Sequence, residues 1–116
     1  MSRPTSKTVR TVEAAVVLLF EAPPRLAERC RDAAARAGAI LRACDRANVA
    51  SLSNNWRPLA IILTETIYAV DGARIEIIAR DVGALVIRLT GDDIGTEELE
   101  GRVVAAVSEA QRLRKG

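Results

Sequence analysis

A chain of 116 residues, 49% of them hydrophobic, is sized for one domain and carries enough apolar material for one compact core. With 17 basic against 15 acidic residues the formal net charge is +2, which gives no electrostatic footprint for DNA, RNA or an anionic membrane, and an aromatic share of 3% argues against a base-stacking surface. The sequence has no histidine, the commonest general base and metal ligand, and its two cysteines, Cys30 and Cys44, are too few for a disulfide framework.

Residues 1–11 are polar and basic, without periodicity, and read as a flexible lead-in to a single domain over 12–116. Ala14–Phe20 is a continuous apolar run. It is short for a signal-peptide core and is flanked by Glu13 and Glu21, so a strand buried on both faces of a parallel sheet explains it better. Pro23 and Pro24 punctuate the chain and open a helix over Pro24–Ala37. There Leu26, Cys30, Ala33 and Ala37 recur at helical spacing, and Gly38 ends it.

Ala39–Cys44 is a weaker strand near a sheet edge, and Asp45–Asn55 a short helix or turn region. Leu59–Leu63 is the third strand. A loop follows, closed by the turn dipeptide Asp71-Gly72, and then a short helix over Ala73–Arg80. Ala84–Leu89 is the fourth strand. The last element is a helix from about Glu97 to Arg114, with Thr96 as N-cap, Glu97 and Glu98 at its positive end, and an apolar stripe of Leu99, Val103, Val107 and Ala110.

Strands alternating with helices imply an α/β fold: a parallel sheet with right-handed crossovers. Ligand sites in such sheets lie beyond the carboxyl ends of the strands. That gathers Glu21–Pro23, Thr64–Thr66 and Thr90–Asp92 around one spot.

These strand ends resemble the response-regulator receiver family. Val17–Gly38, VLLFEAPPRLAERCRDAAARAG, is similar to a receiver's first strand, acidic pocket and first helix. Arg57–Gly72, RPLAIILTETIYAVDG, is similar to its third strand and following loop, and Leu85–Gly91, LVIRLTG, to its fourth strand with a terminal hydroxyl. The resemblance covers roughly residues 14–114 and implies a bacterial two-component signalling context and a flavodoxin-like, doubly wound parallel sheet, trimmed to about four strands in the order 2-1-3-4, with helices on both faces. It also implies a degenerate phosphoacceptor pocket. Glu21 fills one acidic position, Ala22 stands in the second, Thr64 replaces the phosphoacceptor aspartate, Thr90 matches the switch hydroxyl, and the switch lysine is missing. One carboxylate and a hydroxyl are poor ligands for a hard cation, so neither metal nor cofactor is expected.

Other patterns have plainer readings. Cys30 and Arg36 have the Cys-x5-Arg spacing of cysteine phosphatases, but inside a helical pattern with no glycine loop. Asp92, Asp93, Glu97, Glu98 and Glu100 fit helix capping better than a calcium loop. Arg25, Arg29, Arg36, Arg42 and Arg46 are interleaved with acids, as on a solvated surface. Phosphate on Thr64 or Thr66 would sit against Glu21 and Glu65, so local hydrogen bonding is the better reading.

The expectation is therefore a cytoplasmic, phosphorylation-independent receiver-like signalling or protein-interaction module, not an enzyme. Thr66, Tyr68, Val86, Arg88 and Trp56 are its candidate contact residues, although Trp56 also suits a cap on the core. A second copy is a candidate partner through the apolar Ala84–Leu89 edge or the final helix, unless the 90–96 loop and that helix cover the edge. Two alternatives are kept: a small-ligand or enzymatic domain using the strand-end pocket, and a structural subunit assembling through the fourth-strand edge.

Overall fold

The apolar run that opens the fold alternates between two cores. A computed structural model describes residues 15–91 and 93–115, so the basic lead-in over 1–11 and Asp92 lie outside the described residues. In β1 (Ala15–Phe20), Val17 and Leu19 enter one core while Val16, Leu18 and Phe20 enter the other, as side-chain alternation along a strand requires. All five are buried, and each large side chain so placed contributes about 1.5–3 kcal/mol of burial.

The remaining elements follow in alternation: α1 (Pro24–Arg36), β2 (Ala39–Cys44), α2 (Val49–Trp56), β3 (Ala60–Thr64), α3 (Glu65–Val82), β4 (Leu85–Leu89) and α4 (Thr96–Lys115). The four strands form one parallel sheet in the order β2-β1-β3-β4, so the flavodoxin-like order expected from the sequence is the one observed. Phe20 lies beside Cys44, and Thr64 beside Leu89, which aligns the carboxyl ends of the strands. One core packs Leu26 and Cys30 of α1 with Leu99, Val103 and Val107 of α4 against the sheet. The other packs Val49 of α2 and Ile75 and Ala79 of α3 against the opposite face.

The main departure from expectation is α3. In place of a loop, an Asp-Gly turn and a short helix, the chain runs as one helix of 18 residues, with Asp71 and Gly72 in its interior. Thr64 caps its start by accepting from the Ile67 N–H at 3.4 Å. Gly83, at φ 74°, ends it in the left-handed conformation, and the Ala84 N–H closes back on Ala79 O at 2.8 Å. Between those stops, burial of Gly72, Ile75, Ala79 and Val82 against the sheet outweighs the local turn preference of Asp-Gly. The closing turn also takes Ala84 out of the expected fourth strand. Likewise Thr96 is the first residue of α4 and not its cap, because the Leu99 N–H bonds to Gly95 O at 2.9 Å.

One outward carbonyl on the open side of β4 is engaged by the last helix. The Leu85 N–H donates to Leu59 O, so strand alternation turns the backbone groups of Val86 and Arg88 away from β3. Arg102 of α4 then donates to the outward Arg88 carbonyl at 2.7 Å. Val86 is half-buried and Ile87 buried.

Candidate functional site

The strand ends hold most of the residues singled out by the sequence, and two of them, Glu21 and Thr64, are tied to their own neighbours. Glu21, one residue past β1, sits at φ 53°, a left-handed conformation that is uncommon for glutamate. Its backbone N–H donates to Cys44 O at 3.0 Å, and its carboxylate accepts from the Arg46 N–H at 3.0 Å. Glu21 is thus engaged toward the end of β2. Thr64 spends its hydroxyl on the cap of α3. Thr66 is exposed in the first turn of α3, Thr90 is exposed after β4, and Ala22 is half-buried against the α1–α4 core. Among the described residues, no hydrogen bond or ion pair joins Glu21, Thr64 and Thr90 to one another.

This end of the sheet is also short of phosphate donors. Pro23 is the N-cap of α1 and Pro24 its first residue, so two consecutive positions lack an N–H where a phosphate cradle needs a run of them. Among the described residues, no group of three or more Asp, Glu or Cys side chains stands close enough to hold a metal ion. Cys30 and Cys44 are free and buried. Burial pushes the Cys30 thiol up to about 11 against the pull of Arg29. Burial, then the carboxylates of Asp45 and Glu21, pushes Cys44 to about 12. Neither is a thiolate near neutral pH, and Cys30 lies inside α1, so its spacing to Arg36 forms no phosphatase loop.

The arginines of the supposed basic face are dispersed. Arg29 donates to Ile94 O, Arg36 pairs with Glu100 at 3.0 Å, and Arg46 pairs with Asp71 at 2.8 Å. Arg42 lies 4.2 Å from the ring centroid of Trp56, which is exposed at the end of α2 and does not cap the core. A groove of about 410 Å³ opens between α1 and α4, lined by Arg29, Asp32, Arg36, Thr96, Leu99 and Glu100. Its charges are balanced and partly spent on each other.

A second constellation lies on α3 and β4. The Arg88 guanidinium sits 3.8 Å from the centroid of the Tyr68 ring and pairs with Glu65 at 2.7 Å. The Tyr68 hydroxyl donates to Glu76 at 2.7 Å. That bond, followed by partial burial, raises the phenol above its ordinary value. Arg88 and Tyr68, both expected at a contact surface, are thus brought together, while Trp56 is on α2 and Val86 is half-buried beneath this side.

Sequence reasoning missed the neighbouring outward face of α3, where Val70 is 73% and Ile77 55% exposed. The signal was present. Thr66, Val70, Ala73 and Ile77 recur at steps of four, three and four residues, one stripe of a continuous helix. Reading the segment as a loop hid it.

No family model matches the chain, and no curated protein matches it either. A solved structure similar in fold is the lactose-specific IIB component domain of the phosphoenolpyruvate:carbohydrate phosphotransferase system from Streptococcus pneumoniae. It superposes with a TM-score of 0.56 at 12% identity, over 85% of this chain and 96% of the other. This corrects two expectations. The resemblance to response-regulator receivers is not upheld, because the similarity found is to another family on a flavodoxin-like fold. The expectation of a chain that is not an enzyme is overturned by the same finding, since a phosphotransferase-system component shares the architecture. Among the described residues, no helix is long and apolar enough to cross a membrane.

Proposed function

We propose that this chain is a cytoplasmic protein-interaction module that works through the outward surface of α3 and the adjoining Tyr68–Arg88 cluster. The observation that carries the reading is a contrast. Large apolar side chains stand in solvent on the side of α3 away from the sheet, while Glu21 and Thr64 at the strand ends are engaged in internal hydrogen bonds. Two buried free thiols suit a reducing compartment. The test is cross-linking in the native cell with two variants. Val70→Asp with Ile77→Asp is expected to abolish the cross-linked species, and Glu21→Ala with Thr64→Ala to leave them in place. The reverse pattern would move the working surface to the strand ends.

A second reading, group transfer at the strand ends, is favoured by the printed description of the structural neighbour and by the left-handed backbone at Glu21. Incubation with Mg²⁺ and phosphoenolpyruvate or acetyl phosphate separates the two. Intact mass and Trp56 fluorescence are expected to stay unchanged; a phosphoryl adduct mapping to Glu21, Thr64 or Thr66 makes this second reading the better one.

A further inference from the structure

We infer that the occupant of the outward face of α3 is the same face of a second copy of this chain, the two helices crossing antiparallel. The inference rests on the interaction reading above and names its partner. At about 3.6 residues per turn, Thr66, Val70, Ala73 and Ile77 fall within one narrow stripe. Ile75, Ala79 and Val82, which are buried, lie on the opposite side of the helix. The stripe therefore points straight away from the molecule. It has the spacing of a helix–helix seam, with small Ala73 at its centre, where two backbones approach most closely.

The charges choose the partner and its direction. Glu65 stands at the amino end of α3 and Arg80 at the carboxyl end. Glu65 at one end and Arg80 at the other complement each other when the face meets its own copy about a two-fold axis that lies in the interface and runs across the helices. Antiparallel, with Val70 against the partner's Ile77, Arg80 comes within a turn of the partner's Glu65, and Asp81 comes opposite the hydroxyl of the partner's Thr66. The two-fold repeats each contact.

Three details leave room for this. Both Arg88 bonds to Glu65 end on Oε1, and among the described residues no ion pair ends on Oε2. Arg80 and Asp81 are exposed, and neither forms an ion pair among the described residues. Arg74, beside the crossing, is turned back onto the Arg46 carbonyl at 2.9 Å and does not confront its twin. One helix pair is a small interface, so the dimer is reversible.

Sedimentation equilibrium of the whole chain, from micromolar to millimolar, is expected to show a monomer–dimer equilibrium. Ile77→Asp is expected to weaken it by at least about tenfold, and Arg80→Glu and Glu65→Arg each by a similar factor. Combining the two charge reversals restores the opposite pairing and is expected to return dimerisation to within about threefold of the original. Circular dichroism confirms that each variant is folded; Arg80→Glu, at an exposed position, serves where Ile77→Asp does not fold. A chain that stays monomeric at millimolar concentration overturns the proposal, as does a double reversal without recovery. A monomeric chain whose Val70→Asp, Ile77→Asp form loses its cellular cross-links removes the second copy and leaves the interaction reading standing. Monomeric behaviour with the cross-links intact removes both.

Discussion

At the scale of single residues, the thiols decide what chemistry is open at neutral pH. Cys30 and Cys44 are buried, and burial holds their protonation far above the ordinary thiol value of 9.0, at about 11 and about 12. The folded state therefore keeps its thiol protons at a pH where the unfolded chain releases them. Stability from this source is complete below pH 9 and is lost as pH rises through the window from 9 to about 12. We expect urea midpoints to fall across that window, less so in a Cys30→Ala, Cys44→Ala chain. Iodoacetamide is expected to label the native protein negligibly at neutral pH and both thiols in denaturant; equal labelling of native and denatured chains would sink the assignment. Glu21 shows the limit of reading residues from sequence. Its place at the end of β1 follows from the apolar run before it. Its positive φ does not, because glutamate, unlike glycine or asparagine, carries no bias toward that region.

At the scale of elements, α3 is where sequence and structure part. Asp-Gly is a turn former, yet here Gly72 serves a packing purpose. A Cβ on it would stand 2.7 to 2.8 Å from three ring atoms of Tyr68, which lies across the helix surface to reach Glu76. Gly72→Ala sets two effects against each other. The helix gains about 1 kcal/mol of propensity. The ring must swing away, losing its contact with Arg88 and its surface hydrogen bond to Glu76. The terms nearly cancel, so the melting temperature is expected to move little. The phenol is the sensitive readout: released from Glu76, Tyr68 is expected to titrate closer to its ordinary value. Tyr68 is the only tyrosine in the chain, so an ultraviolet absorbance titration reads it alone. An unchanged titration would mean that the ring was never held over Gly72. The Tyr68-x3-Gly72 spacing was visible in the sequence, but it has meaning only once the segment is helical. That in turn depends on burial of Ile75, Ala79 and Val82, which no local pattern reports.

At the scale of the molecule, the parallel sheet was legible from the alternation of strands and helices, and its order from the resemblance to a doubly wound fold. Family was not, because that same pattern is common to many doubly wound folds, and short strings after a strand do not distinguish among them. Nor was the device that closes the amino end of the sheet. Arg114, near the end of α4, donates to Arg57 O at 2.9 Å, Pro58 O at 2.6 Å and Val82 O at 2.9 Å. Two of those carbonyls lie in the connection from α2 to β3 and the third at the end of α3, so one guanidinium joins two connections to the last helix. Its forked, planar donors are what let one side chain serve three acceptors. Arg114→Met keeps the apolar stem and removes the fork, and is expected to cost about 1–2 kcal/mol by urea denaturation. Arg114→Lys, with one rotating ammonium in place of the fork, is expected to recover less than half of that loss. Arg112→Met removes only an exposed pair with Glu109 on the same helix, and is expected to change stability by no more than a few tenths of a kcal/mol. Equal effects at the two positions would reduce Arg114 to an ordinary surface charge. A loss confined to Arg114 means that its guanidinium fastens the carboxyl end of the last helix to the connections before β3 and β4.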